Sequence, residues 1–142
     1  MTEPEYEILL AFDFGFRRIG VASANRHTRT ASPLRALDNG PALPWPALDE
    51  LIKEWRPERL LVGLPGEDVE TEIGAAAAAF AAALEQRYGV DVTTVDETLT
   101  SRAARSELKM ARRGGLMKRK IKRTDVDSLA ACLIAEQWLR AQ

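Results

Sequence analysis

Three carboxylates stand where the surrounding residues make chemistry possible. Asp13 falls near the end of Ile8-Leu9-Leu10-Ala11-Phe12-Asp13-Phe14, a run apolar on both faces, as in a buried central strand. By alternation it shares a face with Leu9 and Ala11, where a carboxylate is costly unless hydrogen-bonded, paired or on a metal. A plainer role is to bond the Gly15 turn. Glu97 follows Val95-Asp96 at the carboxyl end of another strand, the kind of position where open α/β sheets gather ligands. The more usual reading of an isolated Glu there is a first-turn acid at the positive end of the next helix. Asp127 heads a helical stripe through Ala130, Ala131, Ile134 and Trp138, which packs inward, whereas Asp125 heads a more polar stripe through Ser128, Cys132 and Glu136. Thr124 and Asp127 together also resemble a capping arrangement at a helix start. The three acids outline an oxygen-only donor set suited to Mg²⁺ or Mn²⁺. Ions held in this way activate water and stabilise a leaving oxygen in phosphodiester hydrolysis, without a protein general base.

The elements that must position these acids alternate along the chain. Strands are predicted over Ile8–Phe14 and Ile19–Ala24, then a weaker one over Thr28–Leu37 that Pro33 interrupts. A helix over Pro46–Trp55 ends at Pro57, followed by a strand over Arg59–Gly63. A long alanine-rich helix over residues 70–88 closes at Gly89, and Val90–Val95 is the fifth strand. Helices over Thr100–Arg113 and Asp125–Arg140 complete the chain, the first stopped by Gly114-Gly115. This order predicts a single α/β domain over residues 1–142, a mixed five-stranded sheet with helices on both faces.

Charge is unevenly spread. The net charge is −1, from 20 Lys and Arg against 21 Asp and Glu, which excludes a globally basic nucleic-acid binder. Yet residues 102–123 carry +9, because Arg102, Arg105, Lys109, Arg112, Arg113, Lys118, Arg119, Lys120, Lys122 and Arg123 face only Glu107, and the other 120 residues carry −10. Arg102, Arg105, Lys109 and Arg112 form one stripe of a helix, and a basic loop then leads into the helix bearing Asp127. A solvated basic face is the usual meaning of such a run. Its place between two candidate acids favours contact with a phosphate backbone instead. Aromatic side chains are sparse there, so base stacking by this segment is not indicated. The single histidine, His27, excludes a multi-histidine metal site, and the single cysteine, Cys132, excludes an internal disulfide and favours a reducing compartment. The acidic start is unlike a signal peptide, and the apolar run Gly74–Leu84 is too short to span a bilayer. A soluble cytoplasmic protein with no membrane association is the expectation.

Leu10-Ala11-Phe12-Asp13-Phe14-Gly15-Phe16-Arg17-Arg18-Ile19-Gly20-Val21-Ala22 resembles the first two strands of the YqgF family. These are pre-16S rRNA nucleases, also described as Holliday-junction-resolvase-like proteins, with an RNase H-like fold. Val62-Gly63-Leu64-Pro65, Val95-Asp96-Glu97-Thr98-Leu99-Thr100 and Val126-Asp127-Ser128-Leu129-Ala130-Ala131 resemble its remaining blocks in order, so the likeness covers about residues 6–140. The resemblance implies that Asp13, Glu97 and Asp127 are metal-binding catalytic acids, and that the substrate is a nucleic-acid phosphodiester at the 5′ end of precursor 16S rRNA. Three places depart from the family pattern: Phe16 replaces a small hydroxyl residue, Thr98 replaces an arginine-like one, and residues 66–72 are acidic where the family is Asn/Gly-rich. Other readings are a resolvase acting on branched DNA, which needs a symmetric dimer to cut two strands, and a non-catalytic factor that binds nucleic acid through residues 102–123. A phosphotransfer ATPase of the actin-like class would rest on Asp13-Phe14-Gly15 alone, and 142 residues leave no room for its second lobe. Without heptads or another dimer signal, the chain is expected to be a monomer or a weak homodimer.

Overall fold

Ile8–Phe14, apolar on both faces, lies where such a strand must, in the middle of a sheet. The computed structural model describes residues 7–64, 72–96 and 123–142, with the side chains of the last stretch from Asp127 onward. Its elements are β1 (Ile8–Phe14), β2 (Arg18–Asn25), β3 (Thr30–Asp38), α1 (Trp45–Trp55), β4 (Arg59–Leu64), α2 (Glu72–Tyr88), β5 (Asp91–Asp96) and α3 (Arg123–Arg140). The five strands lie in the order β3-β2-β1-β4-β5. β2 runs antiparallel to both β1 and β3, while β1, β4 and β5 are mutually parallel. The predicted mixed sheet with helices on both faces is therefore the one observed. The helix expected over Thr100–Arg113 lies outside the described residues.

The two faces of the sheet are packed differently. On one, Leu10, Phe12, Phe14, Ile19, Val21, Leu60 and Val62 meet Leu48 and Leu51 of α1 and Ala77, Phe80, Ala81 and Leu84 of α2. Alanines bring α2 close, so Phe80 reaches Phe12 edge-on at 5.7 Å and Phe14 at 5.2 Å. On the other face Leu9, Ala11, Ala24, Leu61 and Val95 meet Ile134, Ala135 and Leu139 of α3, and Ala22 meets Ala131 and Cys132.

Two local expectations are corrected. Pro33 does not interrupt β3, because β3 is an edge strand and tolerates a residue with no N–H to donate. The pairing with β2 absorbs one extra β3 residue between the pairs Gly20–Ala36 and Ala22–Pro33. α3 is already formed at Arg123, so Thr124 lies inside the helix and is not its cap. The predicted stops of α1 and α2 hold. Arg56 takes a left-handed turn (φ 47°) before Pro57 to end α1, and Gly89 does the same (φ 63°) after α2.

α1 and α2 are tied at one corner. Asp49 accepts hydrogen bonds from Arg87 Nε (2.9 Å) and a terminal nitrogen (2.8 Å), and from the Tyr88 hydroxyl (2.6 Å). The Arg87 guanidinium lies 4.6 Å from the centre of the Trp45 ring. The bonds from Arg87 and then Tyr88 lower the Asp49 carboxyl from 3.8 to about 2. Burial, and next Asp49, push the Tyr88 hydroxyl well above its ordinary range. A depressed carboxyl stabilises the fold above its unfolded pKa and stops doing so as pH falls through its folded one. Asp49→Asn should therefore lower Tm at neutral pH and flatten the fall in Tm between about pH 4 and pH 2. Parallel melting curves for the two proteins over that interval would contradict this role.

Candidate active site

Asp13 is the penultimate residue of β1 and is partly buried. It pairs with Gly20 on β2 and with Gly63 on β4. Paired residues on neighbouring strands project to the same face, so both flanks of Asp13 lack a side chain on the α3 side. That gap admits α3. A Cβ on Gly20 would collide with the backbone carbonyl of Asp127. The helix backbone thus lies directly on the residue opposite Asp13, whose Cα stands roughly 4.5–5.5 Å away across the pair. Asp13 and Asp127, 114 positions apart in the chain, are brought to one place by the absence of a side chain at Gly20.

Arg18 completes this arrangement. Ile19 and Val21 turn toward α1 and α2, so Arg18, Gly20, Ala22 and Ala24 fall on the α3 face. Arg18 Nε donates to Asp127 Oδ2 at 2.8 Å, with each side chain about 25% exposed. A charge-assisted bond of that length fixes the orientation of the carboxylate. Asp127 is therefore held by Arg18 and does not close a capping box. Arg18 is the residue that the sequence analysis passed over.

β5 ends at the same edge by register. Val95 pairs with Gly63, which pairs with Asp13, and β5 ends one residue later at Asp96. Glu97, the next residue, lies outside the described residues. So do Arg102, Arg105, Lys109, Arg112, Arg113, Lys118, Arg119, Lys120 and Lys122. Arg123 begins α3 one turn before Asp127, with its side chain not described. Among the described residues no three Asp, Glu, His or Cys side chains form a metal-holding group. Asp13 and Asp127 are the two candidate acids that fall within them.

α3 is buried more widely than the sequence predicts. The stripe expected to be polar is buried too, with Ser128 5% and Cys132 4% exposed. The physical reason is the run of small residues Gly20, Ala22 and Ala24, which lets the helix settle across β2 and reach Ala31 of β3. His27 lies in the exposed turn after β2, at the end of the sheet away from Asp13, with its N–H bonded to Asn25.

The family model RuvX, described as Holliday junction resolvase, matches residues 7–141. Relatives named "Putative pre-16S rRNA nuclease" occur in Marinobacter nauticus (44% identical, 100% of this chain and 99% of the relative) and Legionella pneumophila (43%, with 94% and 95% covered). Among solved structures, Thermus thermophilus RuvC in complex with a Holliday junction substrate superposes with a TM-score of 0.59 at 20% identity, covering 95% of this chain and 94% of that one. Fowlpox virus resolvase with Holliday junction DNA gives 0.58 at 10% identity, covering 94% and 97%. These likenesses show the RNase H-like fold.

The packing at Gly20 gives a direct expectation. Gly20→Ala should destabilise the protein by about 1–3 kcal/mol or more, because α3 or β2 must shift. Gly40→Ala, where no atom lies within 4 Å of the added carbon, should stay within about 0.5 kcal/mol of wild type. Equal stability of the two variants in denaturant titrations would mean that α3 does not sit on Gly20.

Proposed function

The chain belongs to the RuvX family of Holliday junction resolvases, and from that premise we propose that it is a nuclease that hydrolyses phosphodiester bonds of precursor 16S rRNA near its 5′ end. The observation that carries this reading is the seating of the Asp127 backbone on Gly20, the partner of Asp13, at the carboxyl edge of the sheet. The names of the relatives supply the substrate, and the basic segment 102–123 supplies the means to hold it. The protein works in the cytoplasm as a monomer or weak homodimer. Its one cysteine is free and buried, as suits a reducing compartment. Among the described residues no helix is long and apolar enough to cross a membrane.

The donor set fits a hard divalent cation. Asp13 and Asp127 offer carboxylate oxygens, Glu97 is the residue after β5 in the sequence, and the only histidine lies elsewhere. Arg18 holds Oδ2 of Asp127, and the other oxygen of that carboxylate would serve a cation. Bound Mg²⁺ or Mn²⁺ would supply Lewis-acid chemistry, activating water and stabilising the leaving oxygen. Asp13, Glu97 and Asp127 would hold it. Arg18 keeps Asp127 in orientation and sets positive charge beside the acids. The basic segment contacts backbone phosphates, so binding should weaken steeply with salt.

Branched DNA is the second substrate class, favoured by the description of the matching family. It would call for a symmetric dimer. Equal trials of precursor rRNA and a four-way DNA junction decide between them. With Mg²⁺ or Mn²⁺, wild type should cut the RNA. Asp13→Asn, Glu97→Gln and Asp127→Asn should each lower the rate by at least about a hundredfold with RNA binding largely kept. Variants of all three acids that cut like wild type would leave only a binding factor. In addition, millimolar Mn²⁺ should raise Tm through preferential binding to the folded state, and Asp13→Asn should lose most of that rise. A wild-type melting curve indifferent to Mn²⁺ would remove the metal from the account.

A further inference from the structure

Among the described residues Phe16 is the exposed large hydrophobic side chain, at 53%. It lies in the turn between β1 and β2, three residues after Asp13 and hence within about 11 Å of it along the chain. Two hydrogen bonds tie the turn to Asn39. The Asn39 backbone N–H donates to the Arg17 carbonyl at 2.7 Å, and Asn39 Nδ2 donates to the Gly15 carbonyl at 2.8 Å. Gly15 has no room for a side chain, since a Cβ there would press on the Arg18 carbonyl oxygen at 2.7 Å. The Phe16 ring is propped edge-on against Phe14, with centroids 6.2 Å apart, and Arg17 beside it is exposed. The result is a ring supported from the α1–α2 side, next to an exposed guanidinium, at the edge of the sheet where β1 presents Asp13 on its other face.

The size of the feature bears on its partner. A single ring is far smaller than the few hundred Å² of apolar surface that marks a protein-binding patch. It is the right size for one nucleobase, and positive charge alongside suits the adjoining phosphate. We propose that Phe16 is a stacking platform for an unpaired nucleobase next to the cleaved bond, with Arg17 against the neighbouring phosphate. This rests on the nuclease reading. It adds that the strand is unpaired where it is cut, and that base stacking comes from the β1–β2 turn, since the basic segment carries no aromatic side chain.

The test compares wild type, Phe16→Ala and Phe16→Trp on an RNA spanning the 5′ junction of precursor 16S rRNA, intact or with an abasic nucleotide on either side of the mapped cut. On intact RNA, Phe16→Ala should lose about tenfold or more in kcat/KM while Phe16→Trp keeps most of it. On the abasic RNA matching the stacked position, wild type and Phe16→Ala should become equal. In an Asp13→Asn background, 2-aminopurine at that position should be quenched on binding, and adding Phe16→Ala should abolish the quenching at unchanged Tm. Equal losses on intact and abasic RNA, no loss on either, or a change in oligomeric state with quenching intact would overturn the proposal. Wild type that cuts nothing, or Asp13→Asn that cuts as well as wild type, would instead overturn the nuclease reading on which it rests.

Discussion

At Gly20 the backbone of α3 lies directly on the backbone of β2, and nothing larger than hydrogen fits between them. The position of the acids depends on this contact. Gly20 is the register partner of Asp13, so the depth at which α3 sits sets the separation between Asp13 and Asp127. A side chain at Gly20 would lift the helix or tilt it, and Asp127 would move with it. Arg18, two residues earlier on the same face, then fixes the direction of the carboxylate that the backbone contact has delivered.

The sheet divides two tasks between its faces. Phe12, Phe14, Phe80, Leu10, Leu48, Leu51, Leu60 and Leu84 bury large side chains on one side, which is where most of the hydrophobic stabilisation resides. The α3 side is built from small residues, among them Ala11, Ala22, Ala24, Ala131 and Ala135, so strand and helix approach closely. Close backbone packing leaves little freedom to shift, and a carboxylate mounted on it is held by the scaffold itself. Asp13 alternates onto this second face, away from the bulky core, and can remain partly exposed at its edge.

Much of this was legible in the sequence, for identifiable reasons. The apolar run of β1 and the turn residues after it mark a central strand, and the helical stripe below Asp127 correctly points that carboxylate toward the sheet. Register was not legible. That Asp13 faces Gly20 and Gly63 depends on pairing between distant strands, which periodicity does not encode. The width of the α3 interface was underestimated because Ser128 and Cys132 read as polar, whereas Gly20, Ala22 and Ala24 make room for them. Arg18 could have been found. Alternation of Ile19 and Val21 against Gly20, Ala22 and Ala24 places it on the small-residue face, but the tandem Arg17-Arg18 reads as a charged turn. Pro33 misled for the opposite reason, since only its place on an edge strand makes it harmless.

The near-zero net charge conceals an acidic body and a basic segment that leads into α3 just before Asp127. The account ties the acids of the body to metal and the basic segment to phosphate, and its central claim is that Asp13 and Asp127 form one site. A crystal structure determined in Mn²⁺, with the ions located by anomalous scattering, tests this most directly. The account predicts manganese coordinated by carboxylate oxygens of both Asp13 and Asp127, at about 2.0–2.3 Å as for hard divalent cations. Manganese bound to only one of them, or to neither at saturating concentration, would contradict it.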